Sequence, residues 1–469
     1  MKKILFILLA VLLVLITVSC RNNNAPDPEP PPEPEIEQYI PEPEPEPDPD
    51  PEEPRVLNVW AFTNEVPNMI DRFMELHPEI AERYILEVTD RWEGVYSVSL
   101  ARALKTPEDS WGVPDIFAVE SAFATRFTQG EYSQFAATYR DMGIDIDRLI
   151  PEARIAPYSV QIGTRPSDGE VVGLGFQGTG GAFIYRRSIA ERVFGTDEPD
   201  EIAGIIGPGW PRFWQAAQQL AEAGHPIVSG DGDVWHSFNN AARSPWIDED
   251  GYLYIDPSRE AFLDVSRKLW ENGWSNRTEN WSDPWFADMR GEGATPAFGF
   301  FGPAWLANYV MAPNTDTDST YGDWAVTRPP VGFFWGGTWI LANANSPHLE
   351  TIGRIIEWIT LDTSTSGLQY LWATGTFNPD NPTKDAVTSA AVMERANGEI
   401  AFLGGQNMFD VFIEANEMAR GDALTMHDED INSIWRDAVR AYAAGTKTRD
   451  EAIEFFRTEA YQFLGIPSQ

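Results

Sequence analysis

The sequence predicts an α/β protein built as two lobes, each a mostly parallel sheet flanked by helices. Three observations carry this expectation. Strand-like and helix-like stretches alternate from Val56 onward, the pattern of a parallel sheet with helical crossovers. The 415 residues from Arg55 to the end are too many for one simple domain and suit two. A glycine-rich stretch, Gly173 to Gly181, reads as the extended crossover that two lobes would need.

The chain opens with Lys2 and Lys3, an apolar run of 13 residues from Ile4 to Ile16, then Thr17-Val-Ser19 and Cys20. That run is shorter than the ~20 residues needed to span a bilayer as a helix. It resembles a bacterial lipoprotein signal, with residues 1–19 removed and Cys20, the single cysteine, lipidated. Residues 20–54 follow as a linker. Thirteen prolines and 12 acids fill 25–54, which leaves too little apolar surface to fold. Such a stretch favours extended polyproline II and would reach ~90 Å as a stalk.

The whole chain carries a net −38; residues 55–469 hold 60 acids against 31 bases. That field repels nucleic acid, and this partner class is excluded. With no cysteine after Cys20, no disulfide can staple the folded part. Eighteen tryptophans exceed what a core of this size needs, and the surplus points to a binding surface.

Along the folded part, Val56–Phe62 reads as a buried strand. A helix follows, with Val66, Met69, Ile70 and Phe73 on one face and Pro67 in its first turn. Tyr84–Val88 and Pro114–Glu120 read as further strands. Ligands of parallel sheets bind beyond the strands' carboxyl ends, which selects Asn64, Glu65 and Glu120. Gly173, Gly175 and Gly178 match G-x-G-x-x-G. A dinucleotide site needs that motif to open a helix, and Ala182–Tyr185 reads as a strand instead. Trp210, Phe213, Trp214, Ala217 and Leu220 form one helical face. Asp248–Asp256 reads as a hairpin turning at Asp250-Gly251. Its acids lack the EF-hand spacing, so no metal is expected. Ala297–Phe301, Trp324–Val326 and the glycine-broken Phe333–Ala342 are strands, and Leu349–Leu361 is a helix. Ile431, Ile434, Trp435, Ala438, Val439 and Tyr442 stripe another helix, and Thr448 with Glu451 forms a capping box for the last one.

In order, these blocks resemble the extracellular solute-binding proteins of ABC importers, the family of maltose-binding protein. The likeness rests on Val56–Trp60, Pro114-Asp-Ile, Gly173 through Arg187, Gly209-Trp-Pro-Arg-Phe213, Phe301-Gly-Pro-Ala-Trp305, Gly336-Gly337 with Ser346-Pro, Gly398-Glu-Ile, and Thr448–Phe456. It implies a two-lobed periplasmic-binding-protein fold (type II) with ligand held between the lobes. Lobe 1 would be 55–176 and 337–390, and lobe 2 would be 177–336 and 391–469.

The resemblance also implies a monomer that binds a sugar and passes it to permease subunits, with no catalysis and no cofactor. A pyranose stacks its apolar face on tryptophan and needs carboxylate and amide partners for its hydroxyls. The matching positions are Asn64, Glu65, Glu120, Thr179, Trp235, His236, Trp305 and Phe409. Trp335, beside the Gly336-Gly337 crossover, joins them by its place in the chain. The rival readings are a glycan-active enzyme, a surface adhesin, or the same fold holding a non-sugar solute. The enzyme would need a carboxylate pair at a set separation, and neither His-Glu-x-x-His nor Gly-x-Ser-x-Gly occurs.

Overall fold

A computed structural model describes residues 54–90, 95–106, 112–293, 295–316 and 319–468. Cys20, the signal-like run and the proline-rich segment lie outside the described residues. Among the described residues eight strands form two sheets: β1 (Arg55–Ala61), β2 (Tyr84–Asp90), β3 (Ile116–Glu120), β4 (Leu174–Gly175), β5 (Ala182–Arg186), β6 (Gly299–Gly302), β7 (Trp324–Thr327) and β8 (Thr338–Ala342). The first sheet has the order β2-β1-β3-β8-β4, the second β6-β5-β7.

The first sheet grows from the expected strand–helix–strand unit. β1 is buried because Leu57, Val59 and Ala61 point into the core. The Glu65–Leu76 helix then packs Val66, Met69, Ile70 and Phe73 against it, as the spacing predicts. β1 pairs in parallel with both β2 and β3. β8 enters late, from more than 200 residues on, and runs antiparallel between β3 and β4. Asp115 fixes this junction: it accepts from Asn58 N at 2.8 Å and from Ser346 Oγ at 2.6 Å.

The second sheet departs from the expectation of a mostly parallel one. β5 runs antiparallel to both β6 and β7. A helical crossover between neighbours in sequence forces parallel pairing. Here more than 100 residues and six helices separate β5 from β6, so the crossover rule does not act. Gln406 closes the edge of β7 like a strand, accepting from Val326 N at 2.9 Å and donating to Val326 O at 2.8 Å. The Asp248–Asp256 segment makes its turn, with Gly251 N donating to Asp248 O at 3.0 Å, but forms one bridge, Ile247 to Leu253, rather than two strands.

The chain passes between the sheets in extended segments that pair with each other. Gly181 N donates to Phe333 O at 2.9 Å, Trp335 N to Thr179 O at 3.1 Å, and Gly178 N to Ala386 O at 2.9 Å. The glycine motif serves this packing: a methyl on Gly181 would lie 2.0 Å from the Phe333 ring, and one on Gly178 2.4 Å from Val387 O. No helix opens there, as expected. Gly336 and Gly337 turn the return segment with φ of +75° and +112°, conformations that other residues rarely adopt. The Phe409–Met418 helix packs on both the Pro157–Gly163 helix and β5. The Asp428–Ala443 helix packs on Pro257–Glu271 and Arg449–Leu464.

Among the described residues no helix is long and apolar enough to cross a membrane. None of their His, Cys, Asp and Glu side chains gather in a group of three able to hold a metal.

Candidate functional site

Burial separates the tryptophans into two populations. Trp246, Trp285, Trp324, Trp339 and Trp435 are wholly buried and belong to the cores. Trp281 is 55% exposed, Trp270 is 40% exposed, and Trp305 and Trp335 are half-buried. Three of these four meet one another. The Trp281 and Trp305 rings are parallel within 5° at 6.2 Å, and Trp335 stands edge-on to Trp305 at 4.9 Å and to Trp281 at 6.3 Å. Trp305 Nε1 donates to the Trp335 carbonyl at 3.0 Å. His236 stacks on the other side of Trp335 at 4.8 Å.

Behind this wall lies a cavity of about 610 Å³. Its lining comes from three places: the Asp231–Asn239 helix (Asp231, Trp235, His236), the 275–281 loop with Trp270, and the Asp428–Ala443 helix (Ser433, Arg436, Arg440). Trp335 reaches it from the crossover. The volume falls among small-molecule sites, which run ~300–1,000 Å³.

Local folding explains why these side chains converge. The helix starts at Asp231 because Asp233 accepts from Gly230 N at 2.8 Å. Asp233 also accepts from Trp285 Nε1 at 2.8 Å, yet full burial, with Asp288 nearby, pushes its carboxyl up to about 7. The 275–281 loop is pinned from below. Asn276 donates to Asp288 at 2.9 Å and to Thr295 O at 2.7 Å, and Thr278 Oγ1 lies 2.6 Å from Ser229 Oγ. Arg277 and Trp281 are held at φ of +63° and +69°. Bulky residues seldom adopt that conformation, and such strain gathers at binding sites. Burial and the neighbouring Arg436 charge push the His236 imidazole down to about 3, so it stays neutral.

The residues selected from sequence fall into three groups. Trp235, His236 and Trp335 line the cavity. Trp305 and Glu120 are outside the lining and flank Gly336, the residue after Trp335: a methyl there would sit 3.5 Å from Trp305 Nε1 and 3.8 Å from Glu120 Oε1. Glu120 ends β3 and caps the next helix, accepting from Ser121 Oγ and Ala122 N, each at 2.7 Å. Its burial raises the carboxyl pKa despite those bonds. Asn64 and Glu65 stand at the end of β1, outside the lining. Asn64 is exposed, and burial raises the Glu65 carboxyl.

Thr179 and Phe409 are placed otherwise than expected of ligand contacts. Thr179 is wholly buried; its hydroxyl donates to Gly336 O at 3.0 Å and lies 3.0 Å from Tyr158 Oη. It ties the crossovers together. Phe409 is wholly buried in the core beside Gly398.

Sequence reasoning passed over Trp281, Trp270, Asn280 and Arg436. The sequence held one signal, a tryptophan-rich stretch between two helices, which also contains the sequons Asn276-Arg-Thr and Asn280-Trp-Ser. The Asn276 amide is fully used in anchoring the loop.

No protein-family model matches the chain, and no curated protein does. Solved structures do. One described as an extracellular solute-binding protein family 1 aligns at TM-score 0.69 and 18% identity, over 87% of this chain and 99% of its own. The fold is that of the extracellular solute-binding proteins. The galacto-N-biose/lacto-N-biose I-binding protein of an ABC transporter from Bifidobacterium longum, in complex with lacto-N-biose, aligns at TM-score 0.60 and 16% identity, over 89% of this chain and 99% of its own. The sugar-binding protein MalE from Xanthomonas citri aligns at TM-score 0.64 and 14% identity, over 87% and 97%. The solute-binding fold therefore extends across both sheets.

Proposed function

We propose that this protein captures a carbohydrate outside the cell and delivers it to the permease subunits of an ABC importer. In this reading Cys20 carries the lipid that holds it at the membrane, and the proline-rich stretch is its stalk. It acts as a monomer, without a cofactor, and releases its sugar unchanged. The observation that carries the reading is the cavity of about 610 Å³ walled by Trp235, Trp270, Trp281 and Trp335, with polar groups between them. Tryptophan faces take the C–H face of a pyranose, and the amide and charged groups between them meet its hydroxyls. The aligned structures described as sugar-binding add support for the class of ligand, and the one described as part of an ABC transporter adds support for the partner.

The test is thermal unfolding of the purified protein against mono- and oligosaccharides, amino acids and metal ions. A sugar present at 100 times its Kd should add ~2.7 kcal/mol of stability. A sugar-specific shift, with the sugar recovered intact, supports the reading. Turnover would favour the glycan-active enzyme, and a shift with only an amino acid or ion would remove the carbohydrate.

A further inference from the structure

Two side-chain atoms in the cavity lining are buried without a hydrogen-bond partner: Nε of Arg436 and Oδ1 of Asn280. Three guanidiniums reach that lining, and two are already engaged. Arg277 donates to the Trp270 carbonyl at 2.8 Å and lies 4.3 Å over its ring. Arg440 is held by Asp437 at 2.5 Å. Arg436 makes no hydrogen bond among the described residues. Its one ion pair among the described residues is Asp231, 3.6 Å from Nη2, which already accepts from Ser266 Oγ at 2.5 Å; the charges of Glu279, Asp233 and Arg440 act on it from further off. The Arg436 guanidinium lies against the Trp235 and Phe262 rings, 5.4 and 5.5 Å from their centroids. A guanidinium carries five donors in a rigid fork, and burying them unmet is costly. In a chain of net −38, a buried cation in a cavity whose Nε has no hydrogen-bond partner is no sample of the average surface.

We propose that the ligand is an acidic carbohydrate. Its ring lies on the tryptophan wall, its anionic substituent takes the free donors of Arg436, and a hydroxyl donates to Asn280 Oδ1. The shared chemistry is an oxyanion on a sugar, which the fork of arginine matches. A uronic acid carboxylate or a sulfate ester can supply it. The inference rests on the carbohydrate reading above.

Isothermal titration of the purified full-length protein with matched disaccharides tests it. Each neutral parent is compared with its uronate and its sulfated counterpart. An acidic member should bind at least tenfold more tightly than its neutral parent, with an advantage that shrinks as salt rises, and the better of the two names the source. Arg436→Gln should erase that advantage, read as the ratio of acidic to neutral affinity within the variant; Arg436→Lys should restore part of it. A neutral parent bound as tightly as both acidic forms overturns the proposal and leaves the carbohydrate reading standing. So does an Arg436→Gln protein that keeps the preference. If that variant fails to fold, the wild-type comparison and Arg436→Lys decide. Binding of no sugar at all removes the carbohydrate reading, and the proposal falls with it.

Discussion

Replacing Asp385 by Asn should remove a pH dependence that is built into the crossover. Asp385 is wholly shielded from solvent where the 385–389 segment pairs with residues 176–178. It accepts from Ala386 N at 2.9 Å, Gln177 Nε2 at 3.2 Å, Asn308 Nδ2 at 3.2 Å and Trp372 Nε1 at 3.5 Å. These donors favour the charged form, but desolvation outweighs them and pushes the carboxyl from 3.8 up to about 7. The folded protein therefore keeps a proton that the unfolded chain releases. Stability from this group is complete below about pH 4, is lost as pH rises to about 7, and is level above. A shift of roughly 3 units at 1.36 kcal/mol each gives about 4 kcal/mol across that window, as an upper figure. Asn keeps the shape and cannot ionise. The assay is urea or thermal unfolding of both proteins from pH 4.5 to 7.5, read as the difference between them, so that every other titrating group cancels. Asp385→Asn should gain on wild type by up to about 4 kcal/mol over that range. Parallel curves, or a variant that loses ground as pH rises, would show that Asp385 is ionised in the fold and refute the reasoning.

Trp281→Ala should leave the melting temperature nearly unchanged, because the ring is 55% exposed, and should weaken sugar binding roughly tenfold by calorimetry. Thr448→Ala removes the capping box, in which Glu451 N donates to Thr448 Oγ1 and Thr448 N to Glu451 Oε2; urea unfolding should show a loss of ~1 kcal/mol. Arg259 is wholly buried, bonded to Asn239 and Ser244 at 2.9 Å, with Asp428 at 3.8 Å and Trp246 at 4.4 Å. Arg259→Met strands the Asp428 carboxylate and should cost ~3–5 kcal/mol in the same assay. Gly181→Ala forces a methyl onto the Phe333 ring and should sharply lower the yield of folded protein.

Much of the fold was legible because its signals are local. The Val66–Phe73 stripe, the apolar run of β1 and the Thr448–Glu451 box each follow from spacing within a dozen residues, and each forms. The direction of β5 against β6 is not local; partners joined by more than 100 residues choose each other by tertiary packing. The site was legible in part for the same reason. Composition shows a surplus of tryptophan but cannot say which ring is core, since Trp285 and Trp281 sit four residues apart and differ from wholly buried to 55% exposed. Thr179 was selected because the resemblance matched its position to a ligand contact, while in the fold its hydroxyl is spent on Gly336 and Tyr158. Arg436 sits in a helix whose stripe reads as plain amphipathic packing, and only the arrival of Trp235 and Asp231 from another helix makes it a site residue.

Trp335 joins the two halves of this account. Its backbone belongs to the crossover: its N–H donates to Thr179 O at 3.1 Å, and its carbonyl accepts from Trp305 Nε1 at 3.0 Å. Its ring belongs to the cavity, between His236 and the edges of Trp281 and Trp305. The next two residues, Gly336 and Gly337, take the positive φ values that let the chain turn toward β8. A ligand that shifts the ring therefore pulls on the segment joining the sheets, and a rotation of that segment reshapes the cavity. Coupling of this kind needs no wire between distant sites, because one residue is part of both. Trp335→Ala should thus alter binding and crossover stability together, whereas Trp281→Ala, whose ring meets Trp285, Trp305 and Trp335 from outside the crossover, should alter chiefly binding. Calorimetry beside thermal unfolding separates the two, and equal melting temperatures for both variants would show that Trp335 is wall and nothing more.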